Sequence, residues 1–97
     1  MTQIRLLPEA EEELQAAARF YEALRLGLGL ALLQEVRRAT ERIAERPRAS
    51  RIERGDIRVR SILRFPYRLY YRVRADEIAI IAVGHRRRRP GFWRSRT

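Results

Sequence analysis

The sequence contains no cysteine, no lysine and no long apolar run. The absence of cysteine excludes disulfides, thiolate nucleophiles and cysteine-ligated zinc or iron–sulfur sites. No apolar stretch approaches the ~20 residues that cross a bilayer as a helix, and no basic region followed by an apolar one marks a signal peptide near the start. No phosphate-binding glycine loop or metal-ligand cluster is visible. We therefore expect a cytoplasmic protein with no membrane contact, metal or small-molecule cofactor.

The charge is distributed very unevenly along the chain. The 97 residues allow one domain, predicted over residues 1–97, and a hydrophobic content of 45% argues against disorder. Residues 1–50 are electrically balanced, whereas residues 51–97 contain fourteen arginines against four acids and carry the whole net charge of +10. A GC-rich coding bias accounts for the missing lysine but not for this segregation. The asymmetry indicates an anionic partner such as RNA, DNA or an acidic protein.

The first half predicts a short strand followed by a helical hairpin. Residues 3–6 alternate polar and apolar, and Pro8 with the glutamates after it suits a first helical turn. Two apolar stripes of period 3.6 follow: Ala10, Leu14, Ala17, Tyr21 and Leu24, and then Leu32, Leu33, Val36, Thr40 and Ile43. Gly27-Leu28-Gly29 is taken as the break between them. Two antiparallel helices of about 18 residues each are expected.

The second half predicts strands, because the apolar period changes from 3.6 to 2 after Gly55. Residues 57–64 and 67–74 alternate, with Phe65-Pro66 between them, and residues 78–83 are apolar on both faces like a central strand. The predicted order is β-α-α-β-β-β. It gives an α+β fold in which an N-terminal strand and an antiparallel two-helix hairpin precede a three-stranded antiparallel meander, with the hairpin on one face.

The alternation also predicts a basic face on the sheet. Five apolar or aromatic residues are expected to face the helices: Ile57, Val59, Tyr67, Leu69 and Tyr71. The opposite face then carries Arg58, Arg60, Arg68, Tyr70 and Arg72. Unpaired arginines are too costly to bury, so this face must be hydrated or must bind anions. A merely solvated basic sheet is the alternative.

The C-terminal residues extend the basic character beyond the last strand. Four consecutive arginines, among them Arg86 and Arg88, are followed by Phe92 and Trp93. Guanidinium groups pair with phosphates and aromatic rings stack on bases, so the segment is a candidate phosphate- or target-binding region. A flexible, solubilising tail is the alternative, and Trp93 disfavours it because aromatics in such tails more often dock back on the sheet.

Only a few groups could supply acid–base chemistry next to these arginines. Arginine does not deprotonate in proteins, so it can position and stabilise phosphate but cannot act as a base. Cleavage of RNA through its 2′-hydroxyl needs a proton acceptor and a donor. The candidates are His85, which is the only histidine, the tyrosines Tyr67, Tyr70 and Tyr71, and the few carboxylates of the second half. Of these, His85 and Tyr70 are the predicted catalytic residues. A structural role for each is the alternative.

Taken in order, these residues resemble the RelE/ParE superfamily, the toxins of bacterial type II toxin–antitoxin systems. The resemblance covers nearly the whole chain and rests on the helical hairpin and two stretches: FPYRLYYRV at residues 65–73, and HRRRRP at residues 85–90 followed by Trp93. It implies a small sheet packed by an N-terminal helical hairpin. It also implies a growth-inhibiting toxin neutralised by a cognate antitoxin.

The same resemblance leaves two mechanisms open. RelE-like members cut mRNA in the ribosome with basic sheet residues and a tyrosine near the C-terminus; ParE-like members inhibit DNA gyrase and lack that set. Arg58 and Arg60 fall at the basic strand positions, and Arg68 and Arg86 match phosphate-binding arginines. The tyrosine position corresponds to Phe92, which has no hydroxyl. ParE-like action on gyrase is therefore favoured, with the mRNA endonuclease and a non-toxic RNA-binding module as alternatives.

Overall fold

The computed structural model describes residues 3–96, and its elements follow the predicted order through the helical hairpin. Met1, Thr2 and Thr97, at the ends of the predicted domain, lie outside the described residues. The elements are β1 (Gln3–Leu6), α1 (Pro8–Leu24), α2 (Leu28–Glu45), β2 (Ile52–Arg54), β3 (Ile57–Ser61), β4 (Tyr67–Arg74), β5 (Glu77–His85) and a final 3₁₀ turn (Arg94–Arg96). The α+β class and the two-helix hairpin are thus as expected.

The sheet is larger than the predicted meander and is mixed in direction. Its five strands lie in the order β1-β5-β4-β3-β2. The first strand runs parallel to β5, whereas the other neighbouring pairs are antiparallel. The prediction of a purely antiparallel three-stranded sheet is therefore wrong. The added strand β2 has three residues and an irregular register, too short for alternation to be visible, and the pairing of β1 joins residues more than seventy positions apart.

The helical hairpin is closed by a side chain of its first helix. The carboxylate of Glu22 accepts hydrogen bonds from the backbone N–H groups of Gly27 and Gly29, at 3.0 and 2.9 Å, and so satisfies donors at the start of α2. Gly27 has a φ of +93°, which glycine adopts without strain. Gly29 lies within α2 rather than in the break between the helices. Because Gly29 has no side chain, the two helices can approach closely at the carbonyl of Ala18.

The core is divided between the two faces of the sheet. The hairpin face buries apolar residues of both helices against Leu69, Tyr71, Ile78 and Ile80. The second face, which the prediction left open, buries a smaller cluster that includes Ile57, Val59, Tyr70, Ile81 and Trp93. The strand β5 lies between β1 and β4 and is buried on both sides, as its unbroken apolar run predicts.

The predicted assignment of β3 to the two faces is wrong. Val59 pairs with Tyr70 and Arg60 pairs with Leu69, and directly paired residues share a face. Ile57 and Val59 therefore lie on the second face, whereas Arg58 and Arg60 lie on the hairpin face with Tyr71 and Leu69. Each strand alternates as predicted, but alternation does not reveal the register between strands, and a shift of that register by one residue inverts the faces.

Candidate target-binding surface

The C-terminal segment (residues 86–96) docks against the second face of the sheet. Trp93 is only 3% exposed. Its ring and that of Phe92 lie 5.8 and 5.6 Å from the ring of Tyr70, measured between centroids. Gly84 makes room for this contact, since a Cβ there would lie 2.5 Å from Cζ of Phe92. The expectation that the aromatics dock back on the sheet therefore holds, and Trp93 presents almost no surface to a partner.

One carboxylate of the first helix anchors the C-terminal segment. Both terminal nitrogens of Arg96 donate to Glu13 at 2.8 Å, and Arg88 donates to it at 3.4 Å. Glu13 also accepts the backbone N–H of Val83 at 3.0 Å, while Arg96 donates to the carbonyl of Ile81 at 3.2 Å. These β5 groups lie beyond the end of β1, so the pair takes the place of a missing strand.

The anchoring residues also stack on an aromatic ring. The guanidinium carbons of Arg88 and Arg96 lie 4.3 and 5.4 Å from the ring centroid of Phe92, within the range of cation–π attraction. The hydrogen bonds to Glu13 raise the pKa of Arg96 above its ordinary value, against an opposing effect of burial. Glu13 was not predicted as a functional residue. The only sequence signal for Glu13 is the excess of arginines over acids in the second half. Because of this excess, some of those arginines need an acidic partner from the first half.

The arginines of the predicted basic face are split between the two faces of the sheet. Arg58, on the hairpin face, donates to the carbonyl oxygens of Arg48 and Ser50 at 3.0 and 2.7 Å, so it ties down the loop after α2. Arg68 and Arg72 lie on the second face, on either side of Tyr70 in β4. The structure therefore does not bring Arg58 and Arg60 together with Arg68 on one surface.

Several arginines nevertheless have no anionic partner. As far as the structure describes the chain, seven guanidinium groups of the second half make neither a hydrogen bond nor an ion pair: those of Arg54, Arg60, Arg68, Arg72, Arg86, Arg87 and Arg89. Arg86, Arg87 and Arg89 are exposed where β5 ends. We refer to Arg68, Arg72, Arg86, Arg87 and Arg89 as the arginine surface. Uncompensated positive charge of this kind attracts an anionic macromolecule and speeds its encounter.

The two predicted catalytic groups occupy different environments. Tyr70 is 5% exposed and lies under Phe92 and Trp93. His85 is half-buried, with its ring edge-on to Tyr67, and its Nδ1 accepts the backbone N–H of Arg87 at 3.0 Å. The lone pair of Nδ1 is therefore already engaged by the backbone of the segment that follows β5.

The described residues contain neither a cluster of metal-binding side chains nor a helix that could span a membrane. Across residues 3–96, no three histidine, aspartate or glutamate side chains lie close enough together to hold a metal ion. Neither of the two helices in this range is long and apolar enough to cross a bilayer. The arrangement found is a docked aromatic segment bordered by unpaired arginines, which can bind and position an anionic surface.

Comparisons with known proteins agree with this architecture. A sequence model of the family "ParE toxin of type II toxin-antitoxin system, parDE" matches residues 4–90. A solved structure titled "Chromosomal ParDE TA system from P. aeruginosa" superimposes with a TM-score of 0.76 and 21% sequence identity, covering 88% of this chain and 96% of that one. No curated protein sequence matches. Since the family match spans nearly the whole chain, this protein belongs to the ParE toxin family of type II toxin–antitoxin systems.

Proposed function

We propose that the protein arrests growth by binding DNA gyrase through the arginine surface, and that a cognate antitoxin holds it inactive. Membership of the ParE toxin family and the fold shared with a ParDE system support the toxin role. The arginine surface supplies the contact with an anionic partner. In this proposal Phe92 and Trp93 act by holding the segment that carries Arg86, Arg87 and Arg89.

The observation that carries this proposal is that the groups needed for RNA cleavage do not converge. Tyr70 is buried, Phe92 has no hydroxyl, and Nδ1 of His85 already accepts the backbone N–H of Arg87. A cleavage reaction would need a base beside the phosphate-binding arginines, and arginine cannot serve as one. Arg58 is directed away from Arg68 and hydrogen-bonds the backbone. These features favour inhibition by contact over chemistry.

The proposal is tested by the supercoiling of relaxed plasmid by purified gyrase. We compare the protein with a variant that carries Arg68→Gln and Arg72→Gln. A matched control carries Arg42→Gln and Arg46→Gln, which removes the same charge from exposed positions at the end of α2. We expect half-inhibition to require at least about tenfold more of the sheet variant, because clustered contact residues contribute most to binding. The control should stay within about twofold of the unsubstituted protein.

Further assays of the same protein distinguish gyrase inhibition from two other functions. If gyrase is unaffected at micromolar excess and primer extension shows codon-phased, ribosome-dependent cuts in mRNA, the protein is a RelE-like endonuclease. If induction leaves growth unchanged and single-stranded RNA binds with a log–log salt slope of about −0.7 per phosphate contact, it is an RNA-binding module. Either result rejects gyrase as the target.

A further inference from the structure

The loop that joins β3 to β4 (residues 62–66) contains a backbone conformation that is unfavourable for its residue. Arg64 has a φ of +72°. Apart from Arg64, the described residues adopt a positive φ only at Gly27, Gly55 and Gly91 and at Ala75, which has the smallest side chain with a Cβ. The left-handed region crowds a Cβ against the backbone, so a long side chain at this position strains the loop. Strain of this kind is typical of residues whose side chains serve a function.

The side chain of Arg64 gains little from the fold in return. Its guanidinium lies 3.8 Å from the carboxylate of Glu35, which is already paired with Arg38 at 3.1 Å. It lies 5.8 Å from the ring centroid of Phe65, close to the ~6 Å limit of cation–π attraction. The side chain remains 58% exposed. Arg64 is therefore directed to solvent, where a partner can reach it.

The loop is firmly attached to the rest of the molecule in spite of this strain. Ile62 is buried in the hairpin-side core, and the ring of Phe65 packs edge-on against Tyr21 with the centroids 5.0 Å apart. The carbonyl of Pro66 accepts the backbone N–H of Arg86 at 2.8 Å, which ties the loop to the residue that follows β5. A loop that is already ordered loses little conformational entropy when a partner binds.

A groove of about 490 Å³ lies between this loop and the residue that follows β5. Six residues border it: Ile62, Leu63, Arg64, Phe65, Pro66 and Arg86. Two of the six are arginines and none is acidic, so the groove attracts an anionic group. Leu63 is 56% exposed although it is a large apolar residue. The groove therefore presents positive charge beside uncovered apolar surface.

We propose that this groove is the part of the toxin that recognises gyrase. A carboxylate of gyrase enters between Arg64 and Arg86, and an apolar side chain beside that carboxylate packs on Leu63. The inference rests on the proposed function and names the residues that select the partner. Arg86 also belongs to the arginine surface, so the groove and that surface form one continuous contact.

Leu63 identifies the occupant as a protein rather than a nucleic acid. The two arginines would pair equally well with phosphate groups or with carboxylates. A nucleic-acid backbone contacts proteins mainly through phosphate and sugar, however, and offers no apolar group to cover Leu63. A folded protein supplies both kinds of group, and arginine is among the residues that contribute most to protein–protein binding.

The test compares two groove variants with two matched controls in the supercoiling assay. Arg64→Asn removes the guanidinium and introduces a residue that tolerates a positive φ. Its control is Arg74→Asn, at a side chain that is 69% exposed at the other end of β4. Leu63→Ala removes the apolar surface. Its control is Leu26→Ala, at a residue that is 90% exposed and lies between the two helices.

We expect each groove variant to require at least about tenfold more protein for half-inhibition, and each control to stay within about twofold of the unsubstituted protein. The melting temperature of Arg64→Asn should equal or exceed that of the unsubstituted protein, because the substitution relieves the loop. If Arg64 served the fold through Glu35, the same substitution would lower the melting temperature, and the assignment of Arg64 to the partner would be wrong.

Site-directed cross-linking locates the contact directly. Because the sequence contains no cysteine, Leu63→Cys introduces a single thiol, which is labelled with a benzophenone maleimide. The control carries Leu26→Cys with the same label. After irradiation in the presence of gyrase and plasmid, the label at position 63 should form a cross-link to a gyrase subunit, and the label at position 26 should not.

Three results would overturn the inference. If the unsubstituted protein inhibits gyrase and both groove variants inhibit it within about twofold of that level, the groove is not the contact, although the proposed function stands. If the unsubstituted protein has no effect on gyrase, the proposed function fails and the inference fails with it. A cross-link from position 63 to DNA or to a second copy of the toxin, in place of gyrase, would assign the groove to that occupant.

Discussion

Replacing Glu13 with glutamine should loosen the C-terminal segment at the edge of β5. The carboxylate receives both terminal nitrogens of Arg96 at 2.8 Å and the backbone N–H of Val83 at 3.0 Å. The side chains of Glu13 and Arg96 are only 16% and 13% exposed. Glutamine preserves the size and one acceptor oxygen. It removes the charge and offers an N–H₂ group to a guanidinium nitrogen, where neither can accept.

The size of the effect follows from the burial of this pair. Removing one partner of a buried ion pair costs about 3–5 kcal/mol, whereas an exposed pair contributes about 0.2–1 kcal/mol. Glutamine still accepts from Val83, and Arg96 keeps its hydrogen bond to the carbonyl of Ile81. We therefore expect Glu13→Gln to lower the free energy of unfolding by about 2–3 kcal/mol. The control, Glu77→Gln, breaks the half-exposed pair with Arg5 and should cost less than about 1 kcal/mol.

The fluorescence of Trp93 makes this effect directly observable. It is the only tryptophan and is buried against Tyr70, so its emission reports whether the C-terminal segment is docked. In a urea titration, the fluorescence transition of Glu13→Gln should move to lower urea concentration. A double-mutant cycle with Arg96→Met should give a coupling energy above about 1 kcal/mol. Equal losses for Glu13→Gln and Glu77→Gln would refute the assignment of Glu13 as the anchor.

Three further substitutions test the close contacts of the fold and the assignment of Tyr70. Gly29→Ala should lower the calorimetric melting temperature, because the added Cβ would lie 2.7 Å from the carbonyl of Ala18. The resulting overpacking costs about 1–3 kcal/mol, which outweighs a gain in helix propensity of at most about 1 kcal/mol. A raised melting temperature would contradict this reasoning. Gly84→Ala should displace Phe92 and shift Trp93 emission to the red in native buffer, and unchanged emission would show that the segment adapts without moving. Tyr70→Phe should leave growth arrest intact because the ring serves packing, and loss of toxicity would restore Tyr70 as a candidate catalytic group.

Local patterns in the sequence were sufficient to predict most elements of the fold. The stripes that contain Leu14 and Val36 predict the two helices, and the apolar run through Ile80 predicts the central strand. Long-range pairing was not accessible in this way. Nothing in residues 3–6 reveals that they pair in parallel with β5, and nothing in Val59 reveals that it pairs with Tyr70. The identity of each sheet face depends on that register.

The candidate site was predictable in composition but not in arrangement. The excess of arginine in the second half and the aromatic pair after residue 90 both indicated a basic surface with a docked segment. The division of Arg58 and Arg68 between two faces follows from strand register, so a single basic face could not have been excluded from the sequence. Glu13 was equally inaccessible, because its contacts with Arg96 join residues 83 positions apart.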